Sequence, residues 1–478
     1  MKIKLSTKQS NTVFIISIAI VAALSRIGLF LKKYPLGPDD GIYAISSKHV
    51  ADGLTPFKQV FSSQGGWFLE LLALPVRIFN NNFWAPRIIP VIAGMLIAIF
   101  AGLIAKRTMS YKCALFTGLI CALSGTLIRT TSAITSDGVM TAFSLATILL
   151  MYKFIGSQTN MNAIYLGISL GLGCSIKSIF MIPTIIFLFI STYNTELLKR
   201  FIAFISAVII FILPFILFGY KDVWDQSVVY HIEKDDPLNI TSNIGKIFST
   251  ISTLDIFISI MAIIGIGIFV IKMIKKDSKL HNSEIKLLNL GYLFPTFLLL
   301  VFQAPLFRNH LAIIMPAIII ISIYYFSLYK LNKLYEIILV VLLLISSIFT
   351  INNVENDSGF KKVSGYKNSQ NIIERVKKDK LMLTNDPGFA YFAKMGIPKL
   401  LEDTSRYRFQ SKTESIKLDN SSFSKYLNNS DICSIVIKED DNDRIFSIED
   451  ILNDKWSQVI QKGNYNIWLN NSTNCTIS

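Results

Sequence analysis

Residues 11–41 read NTVFIISIAIVAALSRIGLFLKKYPLGPDDG, an apolar run followed by a pair of acidic residues. The run at 11–31 has about the 20 residues that an α-helix needs to cross the hydrocarbon core of a bilayer. Asp39 and Asp40 come shortly after it. Acidic side chains at a membrane face are costly and are seldom kept for stability alone. The stretch therefore predicts a membrane span that leads into a candidate site for chemistry.

The composition excludes a soluble globular protein. Of the 478 residues, 52% are hydrophobic and only 17% are charged, which leaves too little polar surface for a water-soluble fold. The formal net charge is +15, but much of the Lys and Arg stands in short loops between apolar runs, which is the positive-inside pattern. Membrane topology thus accounts for the basic charge, and we expect no nucleic-acid partner.

Apolar runs of spanning length number about eleven. The loops near Lys106, Lys199 and Lys275 fall, under this count, on the same side as the basic N-terminus. Basic loops face the cytoplasm, so we expect an integral plasma-membrane protein whose cytoplasmic N-terminus precedes an uncleaved signal anchor. The runs lie at 12–31, 86–105, 112–129, 137–155, 162–176, 179–193, 201–219, 249–273, 286–303, 311–328 and 335–351.

The opposite, external side receives the longer loops. The first of them, 32–85, contains two stretches with helical spacing, 41–51 and 67–79, which we expect to be interfacial helices that lie in the plane of the membrane surface. The same side also receives the 129–137 turn, Lys177, the 220–248 loop, the 302–310 turn and all residues after 351.

From residue 352 the composition shifts to Asn, Asp, Ser and Lys. Candidate strands and helix-like stretches alternate there, which predicts a small external α/β domain. The strands are expected at 380–384, 432–438 and 465–469, and the helix-like stretches around 369–378 and 448–460.

The predicted fold is a polytopic α-helical membrane domain over 1–351, with about eleven transmembrane helices, followed by an external α/β domain over 352–478. Cys433 and Cys475 lie in the external part, and their spacing alone leaves open whether they form a disulfide.

Asp39 and Asp40 have two interpretations. They follow Pro38, so a carboxylate here can cap the free N–H groups at the start of a helix. Alternatively, one carboxylate acts in chemistry while the other caps. The dipeptide alone does not decide between these interpretations.

Basic side chains are expected on the same external face. Lys177 stands between two apolar runs, while Arg308 and His310 precede the tenth run. Arg129 is a further candidate, and Asp137 either joins the site or caps the fourth run. Snorkelling and interfacial anchoring are the structural alternatives for the basic residues.

A carboxylate and several cations at a membrane surface indicate transfer from a lipid-borne phosphate. The acid removes a proton from an incoming hydroxyl group, and such general-base help contributes about 10²–10⁴ in rate. The cations stabilise the departing phosphate, where fixed positive charge adds a factor on the order of 10²–10³.

These residues resemble a known family. The stretches DDGIYA (39–44) and DGLTPF (52–57) resemble the first external loop of the GT-C glycosyltransferases, in particular the aminoarabinose transferases and the protein O-mannosyltransferase-like enzymes. The likeness covers roughly 30–330 and continues through LP at 74–75, APR at 85–87, Asp137, the 171–177 stretch and the 308–316 stretch.

The resemblance implies a polyprenyl-phosphate-linked sugar donor, inverting transfer on the external face, and a glycan, lipid or protein acceptor. Asp39 matches the catalytic acid, with Asp40 as its neighbour, and Lys177 and Arg308 match residues that meet the donor phosphate. His310 and Arg129 are assigned to the same phosphate. By the same resemblance, the side chains assigned to substrate binding are those of Tyr43, Gln64, Trp67 and Asp137.

The sequence departs from the family pattern at two places. The second acid of the pair is often Glu, whereas here it is Asp40. The segment 63–67 lacks the Pro that is usual before the second interfacial helix. Both departures bear on the sugar and the acceptor rather than on the fold.

No metal or other cofactor is expected to be required. The segment 231–236, HIEKDD, has metal-ligand residue types, but its spacing fits no standard site, and Mg²⁺ or Mn²⁺ is what such carboxylates favour. A divalent metal thus stays open as an alternative.

Two other functions compete with transfer. A transporter or flippase of lipid-linked sugars is expected to show internal repeats and ionisable sites near the bilayer midplane, and neither is evident in the sequence. A non-catalytic scaffold that displays the tail is the third alternative.

Overall fold

The computed structural model describes residues 7–79, 82–234, 236–275, 283–328, 333–355, 380–418, 426–427, 429, 431–438, 456–462, 465–470 and 475. The chain divides into two compact units. The first comprises Met1–Phe30, Pro90–Ile212 and Asp236–Glu355, and the second comprises Leu31–Ile89, Leu213–Asp235 and Asn356–Ser478. The predicted domain division after residue 351 remains a prediction.

The structure is mainly helical. In chain order the helices are α1 (Thr7–Phe30), α2 (Pro38–Ala51), α3 (Gly66–Ile78), α4 (Ile88–Ala105), α5 (Tyr111–Leu123), α6 (Gly125–Ser132), α7 (Ser136–Gly156), α8 (Asn160–Lys177), α9 (Ile182–Ser191), α10 (Leu197–Phe218), α11 (Tyr220–Trp224), α12 (Tyr230–Ile232), α13 (Ile240–Leu254), α14 (Ile256–Ile274), α15 (Ser283–Leu287), α16 (Phe294–Val301), α17 (Met315–Ser327), α18 (Lys333–Glu355), α19 (Pro387–Phe392) and α20 (Arg406–Gln410).

Each of the predicted apolar runs contains a helix. Within the described ranges, nine continuous helical stretches are long and apolar enough to cross a membrane, one of which contains both α8 and α9, and the bent pair α5–α6 raises the number to ten if it forms one span. The predicted run 249–273 is divided at Asp255, so only α14 is of spanning length there. The nine are Gln9–Phe30, Ala85–Ala105, Ser136–Gly156, Asn160–Ser191, Leu197–Phe218, Ile256–Ile274, Ser283–Val301, Arg308–Ser327 and Ile338–Glu355.

The stretch Asn160–Ser191 doubles back on itself at Lys177. Lys177, at the end of α8, is bonded to Asp137 in the first turn of α7. After α9 the chain has returned to the other end of α7, because the Glu196 backbone N–H donates to Gln158 Oε1 at 2.7 Å. The non-helical backbone of Lys177 (φ −155°, ψ 84°) makes the reversal. The two short runs predicted on either side of Lys177 are therefore two antiparallel legs.

The break between α5 and α6 has a charged side chain on each side. Arg26 of α1 is fully buried, and its Nη1 donates to the Ala122 carbonyl at 3.0 Å. Asp255 accepts from the backbone N–H groups of Gly125 at 2.7 Å and Thr126 at 3.1 Å. A broken helix leaves carbonyls unpaired on one side and N–H groups on the other. Here Arg26 donates to the carbonyl end of α5 and Asp255 accepts from the N–H end of α6. These are the charges that the helix dipole favours at each end.

In the second unit, the first loop forms α2 and α3, close to the predicted stretches 41–51 and 67–79. Gly37 precedes α2 with φ +141°, a backbone conformation that is essentially restricted to glycine. Pro38 follows at the first helical position, where its missing N–H costs nothing. That these helices lie in the membrane interface remains a prediction.

The tail contributes a four-stranded sheet to the same unit. Its strands are β1 (Leu381–Thr384), β2 (Ile432–Lys438), β3 (Trp456–Lys462) and β4 (Tyr465–Asn470), arranged in the order β1-β2-β4-β3. β1 and β2 are parallel and the other pairs are antiparallel. A buried apolar cluster that includes Leu383, Ile435 and Trp468 forms its core.

The predicted strands at 380–384, 432–438 and 465–469 are present, and Cys433 and Cys475 form a disulfide. The helix-like stretch predicted around 448–460 is wrong over its last part, because residues from Trp456 onward form β3. Pairing with β4 overrides the local pattern there. The stretch predicted around 369–378 lies outside the described residues.

Candidate functional site

The acidic pair lies in the first turn of α2, and the two carboxylates have different surroundings. The N-cap of α2 is Gly37, which offers no side-chain cap. Asp40 is 1% exposed, whereas Asp39 is an exposed residue. Carboxylates in the first turn favour the helix dipole, but neither side chain occupies the N-cap position. The capping alternative therefore holds only in this weaker, electrostatic form.

Asp40 is held by a buried arginine that the sequence did not single out as a site residue. Arg87 Nη2 lies 2.5 Å from Asp40 Oδ2, and Arg87 Nε lies 3.3 Å from Asp40 Oδ1. The Leu36 backbone N–H also donates to Asp40 Oδ2, at 2.9 Å. Such two-pronged binding is the strongest geometry available to a carboxylate. Asp40 is thereby fixed as a structural anchor of the loop.

The same guanidinium also fixes the chain that leads into α2. Arg87 donates to the Lys32 carbonyl at 2.5 Å and to the Tyr34 carbonyl at 2.6 Å. Its side chain is 0% exposed. Because Asp39 stands between this anchored segment and Asp40, its backbone is constrained on both sides while its carboxylate stays at the surface.

Tyr43 lies one helical turn after Asp39 and is buried. The Tyr43 hydroxyl is 3.3 Å from Ser63 Oγ. Gln64 Nε2 lies 3.5 Å from Ser63 Oγ as well. Burial, and then the nearby Asp39 carboxylate, raise the pKa of Tyr43 well above its usual value. The phenol therefore stays protonated. Trp67, also predicted to bind substrate, is half-buried in α3.

In the first unit, Asp137 and Lys177 form an ion pair. Lys177 Nζ lies 2.8 Å from Asp137 Oδ1, and their side chains are 13% and 6% exposed. The same ammonium group stands 4.8 Å from the centre of the Phe180 ring. Neither of the expected roles, phosphate binding for Lys177 and substrate binding for Asp137, included this pairing.

The other predicted cations lie at the same end of that unit. Arg129 in α6 donates to Asn309 Oδ1. The ring of His310 packs against Phe180, with 4.7 Å between ring centroids, so His310 and Lys177 share one aromatic neighbour. Arg308 is exposed. The structure thus brings Arg129, Asp137, Lys177 and His310 together with the start of the predicted tenth run.

The predicted site residues therefore fall into two groups, each within its own unit. Asp39, Asp40, Tyr43, Gln64 and Trp67 belong to the second unit, whose loop segments also supply Arg87. The basic residues and Asp137 belong to the first unit.

Sequence reasoning missed four residues that organise these groups. Arg26 and Asp255 each interrupt an apolar run, and an ionisable residue inside such a run is a readable signal. Arg87 entered only as part of a family motif. Glu402, which is fully buried beside His49, had no local signal, because it stands 353 residues from its partner.

Within the part of the chain that the structure describes, no group of three His, Cys, Asp or Glu side chains is arranged to hold a metal ion. His231 of the HIEKDD segment instead makes a hydrogen bond with the Ser63 carbonyl, 2.6 Å from Nε2. Asp235 of that segment lies outside the described residues.

The spanning helices define an integral membrane protein. Residues 65–218 match the model of the dolichyl-phosphate-mannose-protein mannosyltransferase family. No curated protein sequence matches the chain.

Two solved structures share the fold over almost all of both chains. ArnT from Cupriavidus metallidurans bound to undecaprenyl phosphate has a TM-score of 0.67 at 12% identity, with 99% of this chain and 100% of that chain covered. The apo state of the same protein has a TM-score of 0.66 at 13% identity, with 97% and 98% covered. The predicted resemblance to the GT-C glycosyltransferases is confirmed.

Proposed function

We propose that the protein is a glycosyltransferase that moves a sugar from a polyprenyl-phosphate donor to a hydroxyl or phosphate group of an acceptor. The fold and the family match over 65–218 support this class of reaction. A similar protein has been solved with undecaprenyl phosphate, which supports a lipid phosphate as the leaving group. The acceptor is a glycan, a lipid or a protein.

The observation that supports the proposal is the difference in surroundings between the two acids. The Asp40 carboxylate accepts hydrogen bonds from Arg87 and from the Leu36 backbone N–H. Asp39, one residue away on the same helical turn, is exposed. A base must be rigidly placed and yet reach its substrate. Asp39 meets both conditions, because its neighbours are anchored and its own carboxylate is at the surface.

In the proposed step, Asp39 removes the proton from the acceptor hydroxyl. The acceptor oxygen bonds to the anomeric carbon as the bond from that carbon to the phosphate oxygen breaks, and polyprenyl phosphate leaves with the electron pair. Attack opposite the leaving group inverts the anomeric centre. Positive charge near the leaving oxygen stabilises the transition state. Lys177, Arg308, His310 and Arg129 are the side chains proposed for that role.

The reaction is proposed to take place on the external face and to need no resident metal. The face follows from the basic loops counted along the sequence. Tyr43, Gln64, Trp67 and Asp137 are the proposed substrate-binding side chains. Chelation with EDTA is expected to leave the rate unchanged, and loss of activity restored by Mg²⁺ or Mn²⁺ would contradict the metal-free proposal.

The proposal is tested with the full chain in liposomes that contain a polyprenyl-phosphate-linked radioactive sugar and a cell-envelope acceptor extract. We expect covalent transfer of the label to the acceptor, with release of polyprenyl phosphate. NMR of the product is expected to show the anomeric configuration opposite to that of the donor. Movement of the intact donor between leaflets without covalent transfer would instead show that the protein is a transporter or flippase of lipid-linked sugars.

A further inference from the structure

The tail contacts the acidic helix at backbone level. Gly41, in the first turns of α2, faces Gly388 in α19. A methyl group at Gly41 would lie 2.5 Å from Gly388 Cα, and a methyl group at Gly388 would lie 2.9 Å from Pro35 and 3.0 Å from Gly41 Cα. The atoms met are backbone atoms and the ring of Pro35, and neither can rotate away. Both positions therefore require glycine, and Gly41 is only two residues from Asp39.

Gly388 is itself fixed by the sheet of the tail. Asp386 caps α19 by accepting from the Phe389 backbone N–H at 3.3 Å. Its other carboxylate oxygen accepts from the Tyr465 hydroxyl of β4 at 2.7 Å. The segment 385–388 is thus a capped helix start tied to the sheet. A rigid element, rather than a loose loop, meets α2.

A second contact joins the other end of α2 to the tail. Glu402 Oε1 lies 2.7 Å from His49 Nδ1, and Glu402 Oε2 accepts from the Phe61 backbone N–H at 3.1 Å. Both side chains are almost completely buried, 0% exposed for Glu402 and 7% for His49. One tail carboxylate therefore holds the last turn of α2 and the loop that follows it.

A third contact involves α19 and the arginine that anchors Asp40. The Tyr391 hydroxyl donates to the Asn82 carbonyl at 3.2 Å. The ring of Phe392 stands under the Arg87 guanidinium, 5.3 Å from its central carbon. Arg87 thus has the tail on one side and Asp40 on the other.

We propose that Gly388 and Glu402 are positioning residues for Asp39, and that the tail is a working part of the transferase rather than a separate accessory domain. This inference rests on the proposed function. The two residues hold the two ends of α2, so together they set the place and direction of the helical turn that presents Asp39. They touch neither donor nor acceptor in this role.

A displaced base lowers the rate of the chemical step more than it lowers substrate binding. A misplacement of about 1 Å can cost about 10²-fold in rate. Gly388→Ala is therefore expected to lower kcat about 10–100-fold, with the KM for the donor changed less than about 3-fold. Glu402→Gln keeps an acceptor for Phe61 but weakens the contact with His49, and a smaller loss of kcat is expected.

The test compares kcat and KM of four full-length proteins in liposomes: wild type, Gly388→Ala, Glu402→Gln and Gly396→Ala. Gly396→Ala is the matched control, because it lies in the same tail and its added methyl group meets only the end of the flexible Leu381 side chain. It is expected to transfer sugar at the wild-type rate. If Gly388→Ala does not fold, Glu402→Gln decides the question.

A double variant makes the test sharper. Gly41→Ala and Gly388→Ala open the same contact, so their combined loss of kcat is expected to be well below the product of the single losses. Wild-type kcat in both Gly388→Ala and Glu402→Gln would overturn the inference, and so would losses that appear only in KM. A wild-type protein with no transfer activity would instead refute the proposed function.

Discussion

Arg87 and Asp40 form an ion pair in which both side chains are 0% exposed and Arg87 Nη2 lies 2.5 Å from Asp40 Oδ2. The pair stands directly beside Asp39, the exposed acid of the same helical turn. Two neighbouring carboxylates of identical chemistry thus have different environments. In this account, one holds the loop and the other reacts.

Asp40→Asn is expected to destabilise the protein, because it leaves the Arg87 charge buried without its carboxylate. Breaking a buried ion pair from one side costs on the order of 3–5 kcal/mol. Thermal unfolding in detergent micelles measures the effect. The control is Glu70→Gln, which breaks an ion pair with Arg77, a side chain that is 41% exposed. Loss of such an exposed pair is expected to cost at most about 1 kcal/mol. Equal stability of the two variants would contradict the anchoring role of Asp40.

Lys177→Met is expected to weaken donor binding if the ammonium group meets the lipid phosphate. A charge-assisted hydrogen bond contributes about 1.5–3 kcal/mol, so the KM for the donor should rise about 10–100-fold. The control is Lys199→Met, since Lys199 bonds to Asn160 at the opposite end of α7. Asp137→Asn, which removes both a proposed substrate-binding carboxylate and the ion-pair partner that holds Lys177 in place, should raise the donor KM as well. If the donor KM is unchanged in both Lys177→Met and Asp137→Asn, Lys177 does not bind the donor phosphate and has only a structural role in its ion pair with Asp137.

Local patterns predicted the helices and most strands. Every apolar run contains a helix, because hydropathy over about 20 residues is a local property. The strand β2 was found because its run of buried residues is short and rich in β-branched side chains. β3 was assigned to a helix, because its pairing with β4 is not visible in its own residues.

The candidate site was predictable in its residue types but not in its pairings. Asp39 and Asp40 are equivalent in the sequence, and the ion pair of Asp40 with Arg87, 47 residues away, distinguishes them in the structure. Likewise, Asp137 and Lys177 were each expected to bind substrate, and their mutual ion pair depends on the chain reversal between α7 and α8. Partners brought together by tertiary folding leave no mark in the local sequence.

Glu233 predicts a pH dependence of stability. Burial alone would raise the pKa of this carboxyl group, but hydrogen bonds from Ser411 at 2.5 Å, Thr413 at 2.7 Å and the Lys412 backbone outweigh burial and lower it. A lowered folded-state pKa stabilises the protein above the ordinary carboxyl pKa of about 4.3. That contribution is lost as the pH falls through the folded-state value.

The measurement compares the stability of wild type and Glu233→Gln as the pH falls from about 7 to about 3, across the ordinary carboxyl pKa. The wild type is expected to be more stable at the upper end, and the difference should shrink toward the lower end. A difference that grows as the solution becomes acidic would show that Glu233 has a raised pKa instead.

Asp255→Ala is expected to destabilise the first unit, because two backbone N–H groups at the start of α6 lose their acceptor. Each buried donor left unpaired costs about 1–3 kcal/mol. The comparison is Asn239→Ala, an exposed cap of α13 that bonds to Ser242, whose loss is expected to cost about 1 kcal/mol. If the Asp255 variant loses no more stability than the Asn239 variant, the break in α5–α6 does not depend on this carboxylate.

The most direct test of the account is the rate of sugar transfer from a polyprenyl-phosphate donor by Asp39→Asn. Loss of a general base is expected to lower kcat by about 10²–10⁴, while folding and membrane insertion remain as in the wild type. Asp52→Asn is the matched control, because Asp52 is an exposed acid at the other end of α2, and it should transfer at the normal rate. Normal transfer by Asp39→Asn would contradict the account.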